Sequence, residues 1–376
     1  MTKYTLAWAL EQAGAETDEV ESTLTAAREA APDHCFLSRL QEQLVLEWAL
    51  ARHPDDRNAA YGLGNYCYDR KRHEDAIRYW EQARDADPDH ASTHRNLGIA
   101  YWNQQRDGEA ARASYEAALA CDSTDARIIA EFDQLREKLG DPAEDRLDFL
   151  QQHPEAVTER DDATVSLITL LNTTGKPDAA LARLEVRRFH PWEGGEGKVL
   201  RQYTRARLKL GRAALEADDA ETALEHFNRA LDTPDNLGEK YHPLQAKADV
   251  LYWQGRALAA LGRQDEAQDR FEAAAAEAGD FQNMAVAAYS PISYWRGLAL
   301  ARLGRENEAR ELFTAMADYA RQQAAQPAKI DYFATSLPNL LVFEEDLEAA
   351  HAAQFSELEE LAERGLTEIQ SPAENP

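Results

Sequence analysis

Cysteine is nearly absent from this 376-residue chain. Its three cysteines, Cys35, Cys67 and Cys121, are too few and too widely spaced for a disulfide framework or a zinc cluster, and they read as small buried apolar residues. Long apolar runs are missing too. No window approaches about 18 consecutive apolar residues, so no membrane span is expected. The opening stretch, MTKYTLAWALEQAGAETDEV, passes quickly from apolar residues to acids. It lacks the h-region and cleavage site of a signal peptide, and a cytoplasmic location is the expectation. Cations are in deficit, 41 Lys plus Arg against 68 Asp plus Glu for a net −27. Affinity for nucleic acid rests largely on cations that displace counterions, so neither a nucleic acid nor an anionic membrane is an expected partner. The plain meaning of the acidity is solubility, and a halophilic host would leave the same mark. Alternation with period two is lacking over any useful length, which predicts no sheet.

What is present is apolar material for a core, 44% of residues, with 29% charged, the composition of an ordered globular protein. It is organised as a repeat. Leu63-Gly64 recurs as Leu97-Gly98 and Ala76 as Ala110, each 34 positions on. The first unit reads Ala60, Leu63, Gly64, Cys67, Ala76, Trp80, Ala83, Pro88; the second ends in Tyr115 and Ala118 after a one-residue slip. Small residues allow two antiparallel helices to approach, large ones fill the gap to the next pair, and Pro88 stops the second helix. Further along, Gly211, Ala223 and Phe227 recur as Gly255, Ala267 and Phe271, then as Gly297, Ala309 and Phe313. The extra residues of these longer units fall in the connections, around 235–243 and 279–291. Gly262 and Gly304 fall where a left-handed helix cap is needed.

This spacing resembles the tetratricopeptide repeat, and the expected fold is all-α, a right-handed superhelical α-solenoid of tetratricopeptide-like helix pairs. The organisation reads as five segments. Residues 1–56 form an N-terminal helical cap of degenerate repeats, and 57–158 hold two good repeats and one degraded. Residues 159–200 hold a degenerate repeat plus a Gly-rich loop, and 201–345 hold three repeats with long connections. Residues 346–376 form a C-terminal capping helix and a frayed tail.

Three stretches carry a narrower resemblance. They are Arg188-Phe189-His190-Pro191-Trp192-Glu193-Gly194-Gly195-Glu196-Gly197-Lys198, then Pro234-Asp235-Asn236-Leu237-Gly238, and Lys329-Ile330-Asp331-Tyr332-Phe333-Ala334-Thr335-Ser336-Leu337-Pro338. With them, residues from about 40 to 347 resemble the C-terminal helical half of large bacterial proteins. In those proteins a mutarotase-like β-sandwich domain of unknown function precedes the repeats. Nothing here matches the β-sandwich, and a plain acidic helix replaces the last repeat after Leu347. The resemblance implies a carbohydrate-related context, with a separate β-sandwich protein as partner.

Three candidate sites follow. In such solenoids the first helix of each pair lines an inner groove, where Tyr61, Asn65 and Tyr68 are expected beside Arg95, Asn96, Ile99, Trp102 and Asn103. Flat aromatics, amides and one guanidinium suit a peptide backbone, a carboxylate or a sugar ring. Some tetratricopeptide domains grip a C-terminal carboxylate with paired Asn and cationic residues. Asn65 and Asn96 match the amide positions and Arg127 one cation, while Tyr61 and Glu131 depart from the pattern. The alternative is that these amides only solvate the groove.

The second candidate is the loop 189–198. Its His190, Glu193 and Glu196 are metal or acid–base groups, and Trp192 is a stacking surface. Against this stands a structural plug, with Phe189 and Trp192 packed between helices and Glu193 capping the helix that starts near Lys198. It fits neither the phosphate-binding G-x-x-x-x-G-K-[ST] pattern nor H-E-x-x-H. The third candidate is 331–338, where Asp331 and Tyr332, with Phe333, Thr335 and Ser336, form either core or a partner-binding edge. No Ser-His-Asp, Cys-His or paired-carboxylate arrangement is evident. The expectation is a non-catalytic scaffold without cofactor that binds a protein or peptide in its groove; the alternative is an accessory or catalytic module of a carbohydrate-active system that acts with a separate β-sandwich domain.

Overall fold

The computed structural model describes residues 1–31, 35–190, 192, 194–282, 285–328 and 341–370. They form an all-α protein of helix pairs that divides into two compact units, Met1–Pro142 with Phe149–Arg160, and Ala143–Asp148 with Asp161–Pro376.

In the first unit, α1 (Thr2–Gln12), α2 (Thr17–Arg28) and α3 (Leu40–Arg52) precede two hairpins. The first is α4 (Arg57–Asp69) with α5 (His73–Ala86), the second α6 (Ala91–Ala100) with α7 (Gly108–Cys121). Helix α8 (Ala126–Lys138) closes the series with the short α10 (Pro154–Glu159), while α9 (Ala143–Gln152) is divided, Ala143–Asp148 belonging to the second unit and the rest to the first. Aspartates start these helices repeatedly. Asp56 accepts from the Ala59 amide at 3.0 Å, Asp107 from Ala110 at 2.9 Å, and Asp125 from Arg127 and Ile128 at 2.8 and 3.1 Å. Each satisfies amides that have no partner inside the helix, worth about 1 kcal/mol apiece. Asp56 is buried, and the Tyr4 hydroxyl of α1 donates to both its oxygens at 2.8 and 2.9 Å, tying the first helix to the first good repeat.

The second unit runs α11 (Asp161–Thr173), α12 (Pro177–Val186), α13 (Lys198–Glu216), α14 (Ala220–Leu231), α15 (Ala248–Ala260), α16 (Gln264–Ala276), α17 (Ser293–Arg302), α18 (Glu306–Ala324) and α19 (Leu347–Gln370). Most helices pack on the next, and α11, α13, α15 and α17 each pack on the next but one, the stacking rule of a solenoid.

One contact recurs through both units. In five pairs a glycine of the first helix lies against an aromatic ring on the second helix of the same pair. A Cβ on Gly98 would fall 2.7 Å from the Tyr115 ring and one on Gly255 2.6 Å from Phe271. It would be closer still between Gly64 and Trp80, Gly211 and Phe227, and Gly297 and Phe313. Phe313 is clasped from its other side by Gly365 of α19 and is fully buried.

In four of these five pairs the left-handed residue that ends the first helix keeps equal step. Lys71, Asp218, Gly262 and Gly304, with φ from 60 to 74°, each follow their repeat glycine by seven positions. Arg106, with φ 55°, follows Gly98 by eight. The extra residue lies in Tyr101–Gln105, one turn of π-helix at the end of α6. This corrects the repeat register read from sequence. The fully buried counterpart of Ala76 is Ala111, not the half-exposed Ala110, because the π turn holds one residue more than an α turn.

Two further expectations change. Cys67 is fully buried, but Cys35 and Cys121 keep partial exposure, the latter at the end of α7 beside the Pro88 carbonyl. A small antiparallel ribbon, β1 (Asp280–Gln282) with β2 (Ala285–Ala287), occupies the connection for which no sheet was predicted. Arms of three residues are too short to write a period-two pattern. Tertiary bonds hold them instead: the Phe281 amide donates to Leu244 O at 3.1 Å, and Asp280 accepts from Ala246 N at 2.8 Å. The charged C-terminal helix and the left-handed caps at Gly262 and Gly304 stand as expected. Residues 371–376 lie outside the described residues.

Gly255→Ala should lower stability by about 1–3 kcal/mol through overpacking, despite the better helix propensity of Ala. Phe271→Leu in the same chain should recover part of the loss. Thermal melting of the single and double variants measures both, and additive losses would contradict the contact.

Candidate functional site

The candidate residues of the first unit sit on α4, α6 and the π turn, and the structure joins three of them. Asn65 Oδ1 accepts from Trp80 Nε1 and from Asn96 Nδ2, both at 3.0 Å. Arg95 donates to Asn96 Oδ1 at 3.1 Å and grips Glu131 of α8 with two bonds of 2.6 and 2.5 Å. The Tyr115 hydroxyl donates to the same carboxylate at 2.9 Å. Burial, then the Glu131 charge, drives the Tyr115 hydroxyl well above its ordinary range, so it stays protonated as the donor. Side-chain exposure is 17% for Arg95 and 5% for Glu131, so solvent screens this pair little.

Glu131, which departs from the carboxylate-clamp pattern in the sequence, is thus the carboxylate that Arg95 holds. Arg127, the matching cation, is instead within 3.9 Å of Asp125. The face is therefore neutralised from within and offers amides and rings more than charge.

Around this network, Tyr61 packs edge-on to His90 at 4.9 Å, and Tyr68 lies 4.8 Å from His73 and 5.3 Å from Trp80. Tyr61, Asn65, Tyr68, Arg95, Asn96 and Trp102 all keep partial exposure. Asn103 does not; at 8% it is buried, because the π turn rotates it inward relative to Trp102.

In the second unit the described loop candidates, His190, Trp192 and Glu196, form no hydrogen bond or ion pair with one another. His190 is 75% exposed and is held through its amide, which donates to Asp161 at 2.9 Å, with Nδ1 3.3 Å from the same carboxylate. Burial opposes ionisation of Asp161, but the His190 amide and the Arg187 guanidinium keep its carboxyl below the usual range. Phe189 is buried, and its amide donates to Asn236 O at 2.8 Å. Asn236 in turn donates to the Leu184 and Arg187 carbonyls at 2.7 Å each. Trp192 lies over Gly195 so closely that no Cβ would fit there, and Glu196 is exposed.

The expected cap is also relocated. The amides of Gly197 and Leu200 at the start of α13 donate to Glu239, at 2.7 and 2.6 Å, which satisfies that helix end from the following connection. Glu193 lies outside the described residues, as do Asp331, Tyr332 and the rest of 331–338. Among the described residues no group of His, Cys, Asp and Glu is arranged to hold a metal ion. No described helix is long and apolar enough to cross a membrane.

Sequence reasoning passed over one feature of the second unit. Helix α13 carries Lys198, Arg201, Arg205, Lys209 and Arg212 at spacings that share one face, and the last reaches the next first helix, where its guanidinium sits 4.9 Å from the Trp253 ring centre. The signal was legible as a helical stripe of one charge, but it was hidden by the net acidity of the whole chain.

Replacing Glu131 by Leu leaves a mostly buried guanidinium without its carboxylate and should cost about 3 kcal/mol, while Arg95→Met/Glu131→Leu should recover most of it. Chemical denaturation of the two variants gives the answer. An equal loss in both would show that the pair does not organise this face.

Comparison with known proteins bears on the repeat. The tetratricopeptide repeat family model matches residues 43–80 and 72–126, and a second tetratricopeptide model matches 249–280. Among solved structures, YrrB, titled a TPR protein with an unusual peptide-binding site, is 20% identical over 50% of this chain and 91% of its own, with a TM-score of 0.37. A tetratricopeptide repeat protein from Parabacteroides merdae is 14% identical over 86% of this chain and 99% of its own, TM-score 0.39. Naa15/Naa10 bound to HypK-THB is 17% identical over 87% of this chain and 48% of the matched chain, TM-score 0.43. With the glycine, its aromatic partner and the left-handed cap recurring in each, residues 43–126 and 249–280 are tetratricopeptide repeats within an all-α chain of stacked helix pairs.

Proposed function

We propose that this chain is a non-catalytic scaffold that holds a segment of a partner protein against the first-helix face of its repeats. Tetratricopeptide repeats generally mediate contacts between proteins and are typically not enzymes. The observation that carries the reading is the state of the α4–α6 face. Tyr61, Asn65, Tyr68, Arg95, Asn96 and Trp102 are partly exposed, yet several are already fixed by hydrogen bonds or ring contacts. Side chains ordered before binding lose little entropy on contact, and Tyr and Trp add large rigid area. With Arg95 neutralised by Glu131, the face suits the uncharged backbone and apolar side chains of a segment better than a terminal carboxylate. Trp102 stands on the π turn, an irregularity found often at functional sites.

A carbohydrate-linked role gains no support from the described part of the 189–198 loop, where the Phe189 and His190 amides hold the loop to Asn236 and Asp161 and the exposed His190 and Glu196 side chains form no bond with each other.

Tyr61→Ala/Trp102→Ala is the informative variant, since Asn65 also supports Trp80. In a quantitative pull-down from the native host, partners captured by the wild-type chain should fall about ten-fold or more, with the helical circular dichroism unchanged. Retention of every wild-type partner by the folded variant would remove this face from consideration.

A further inference from the structure

We infer that the exposed face of α13, continued by Trp253, is a docking site for an acidic peptide segment of a partner protein. The inference rests on the scaffold reading but on the other unit of the chain.

Lys198, Arg201, Arg205, Lys209 and Arg212 fall on one side of a regular helix, and all but Lys209 are exposed. Lys209 is partly covered and donates to the Asn172 carbonyl. Among the described residues none of the five belongs to an ion pair. Many other arginines of this acidic chain pair with a carboxylate, among them Arg95, Arg112, Arg187 and Arg207, whereas the α13 face sets five cations in one row without such a partner among the described residues. Burial, and after it the charges of Arg205 and Arg212, pull the Lys209 ammonium below its usual range, as expected where positive charge is uncompensated.

The neighbouring first helices carry few acids. Helix α11 has Asp161 and Asp162 at its start, the former held by Arg187 and the His190 amide, and no charged side chain over 163–173, while α15 offers Asp249 at its start and Arg256 further along. Arg256 lies 5.6 Å from the Trp253 ring on α15, and Trp295 of α17 lies 5.5 Å from that same ring. The stripe therefore ends on two partly exposed indoles that accept an aliphatic or aromatic side chain.

Between Lys198 and Arg212 the helix rises about 21 Å, the length of roughly six residues of extended peptide. A short acidic segment matches that length and charge. A long polyanion matches it worse. Its remaining phosphates would meet the second helices α14, α16 and α18, in which acids outnumber cations, on a chain of net charge −27.

The test is fluorescence anisotropy on the full chain with three labelled probes: a decapeptide of alternating Glu and Ala, its Gln counterpart, and a thymidine decanucleotide. The Glu peptide should bind, weaken as salt is raised, and outcompete the other two. Arg201→Glu/Arg205→Glu should reduce its affinity about ten-fold or more without changing the melting curve, since neither side chain makes a described bond. If that variant does not fold, Lys198→Glu/Arg212→Glu takes its place. Absence of Glu-peptide binding, binding indifferent to the charge reversals, or tighter binding of the oligonucleotide would each overturn the inference. Tyr61→Ala/Trp102→Ala should leave Glu-peptide binding intact, so failure at α13 and failure of the α4–α6 face are read separately.

Discussion

The architecture depends on one steric constraint, an aromatic ring seated where a glycine leaves no side chain. Gly64 with Trp80, Gly98 with Tyr115, Gly211 with Phe227, Gly255 with Phe271 and Gly297 with Phe313 repeat this contact in two separate compact units. A ring this close sets the separation of the two helices and the register in which they cross. It also fixes which side of the first helix turns toward its own partner, leaving the opposite side for other contacts. Dispersion and apolar burial then act on a geometry already chosen. The π turn at Tyr101–Gln105 shows how firmly the constraint holds. An extra residue entered the second repeat, and the backbone absorbed it within one widened turn while the ring remained on the glycine.

The polar chemistry of the two units differs for a physical reason. In the first unit the single guanidinium of the face is mostly buried, and a buried cation must be compensated from within. Glu131 supplies that compensation, and Asn65, Asn96, Trp80 and Tyr115 complete a connected network around it. Its rigidity comes at the expense of free charge. In the second unit the α13 cations stand mainly in solvent, where hydration carries the charge and no internal carboxylate is needed. One face is thus ordered and neutral, the other open and positive.

The Gly-rich loop before α13 takes its meaning from what holds it. Phe189 is buried, Trp192 covers Gly195, and Asn236 and Glu239 bond to the loop or to the helix end behind it. Both partners come from the connection after α14, so two segments distant in sequence stabilise one another. This explains why the loop and the Pro234–Gly238 stretch are distinctive together. Neither is ordered by its own residues alone.

Local chemistry sufficed for much of this. The period of Gly, Ala and aromatic residues, Pro88, and the glycines at left-handed caps were enough to derive an all-α chain of stacked pairs, since helix packing is governed by side-chain size at regular spacing. The candidate face on α4 and α6 followed from the same periodicity. Tertiary structure decided the rest. The bond between Arg95 and Glu131 spans 36 positions and the cap from Glu239 to Gly197 spans 42, distances at which pattern within a helix is silent. The three-residue ribbon at 280–287 was invisible because its order comes from Leu244 and Ala246, not from alternation of its own. Spacing along one helix is written in the sequence; which distant group satisfies a buried charge or an open helix end depends on where folding brings the chain together.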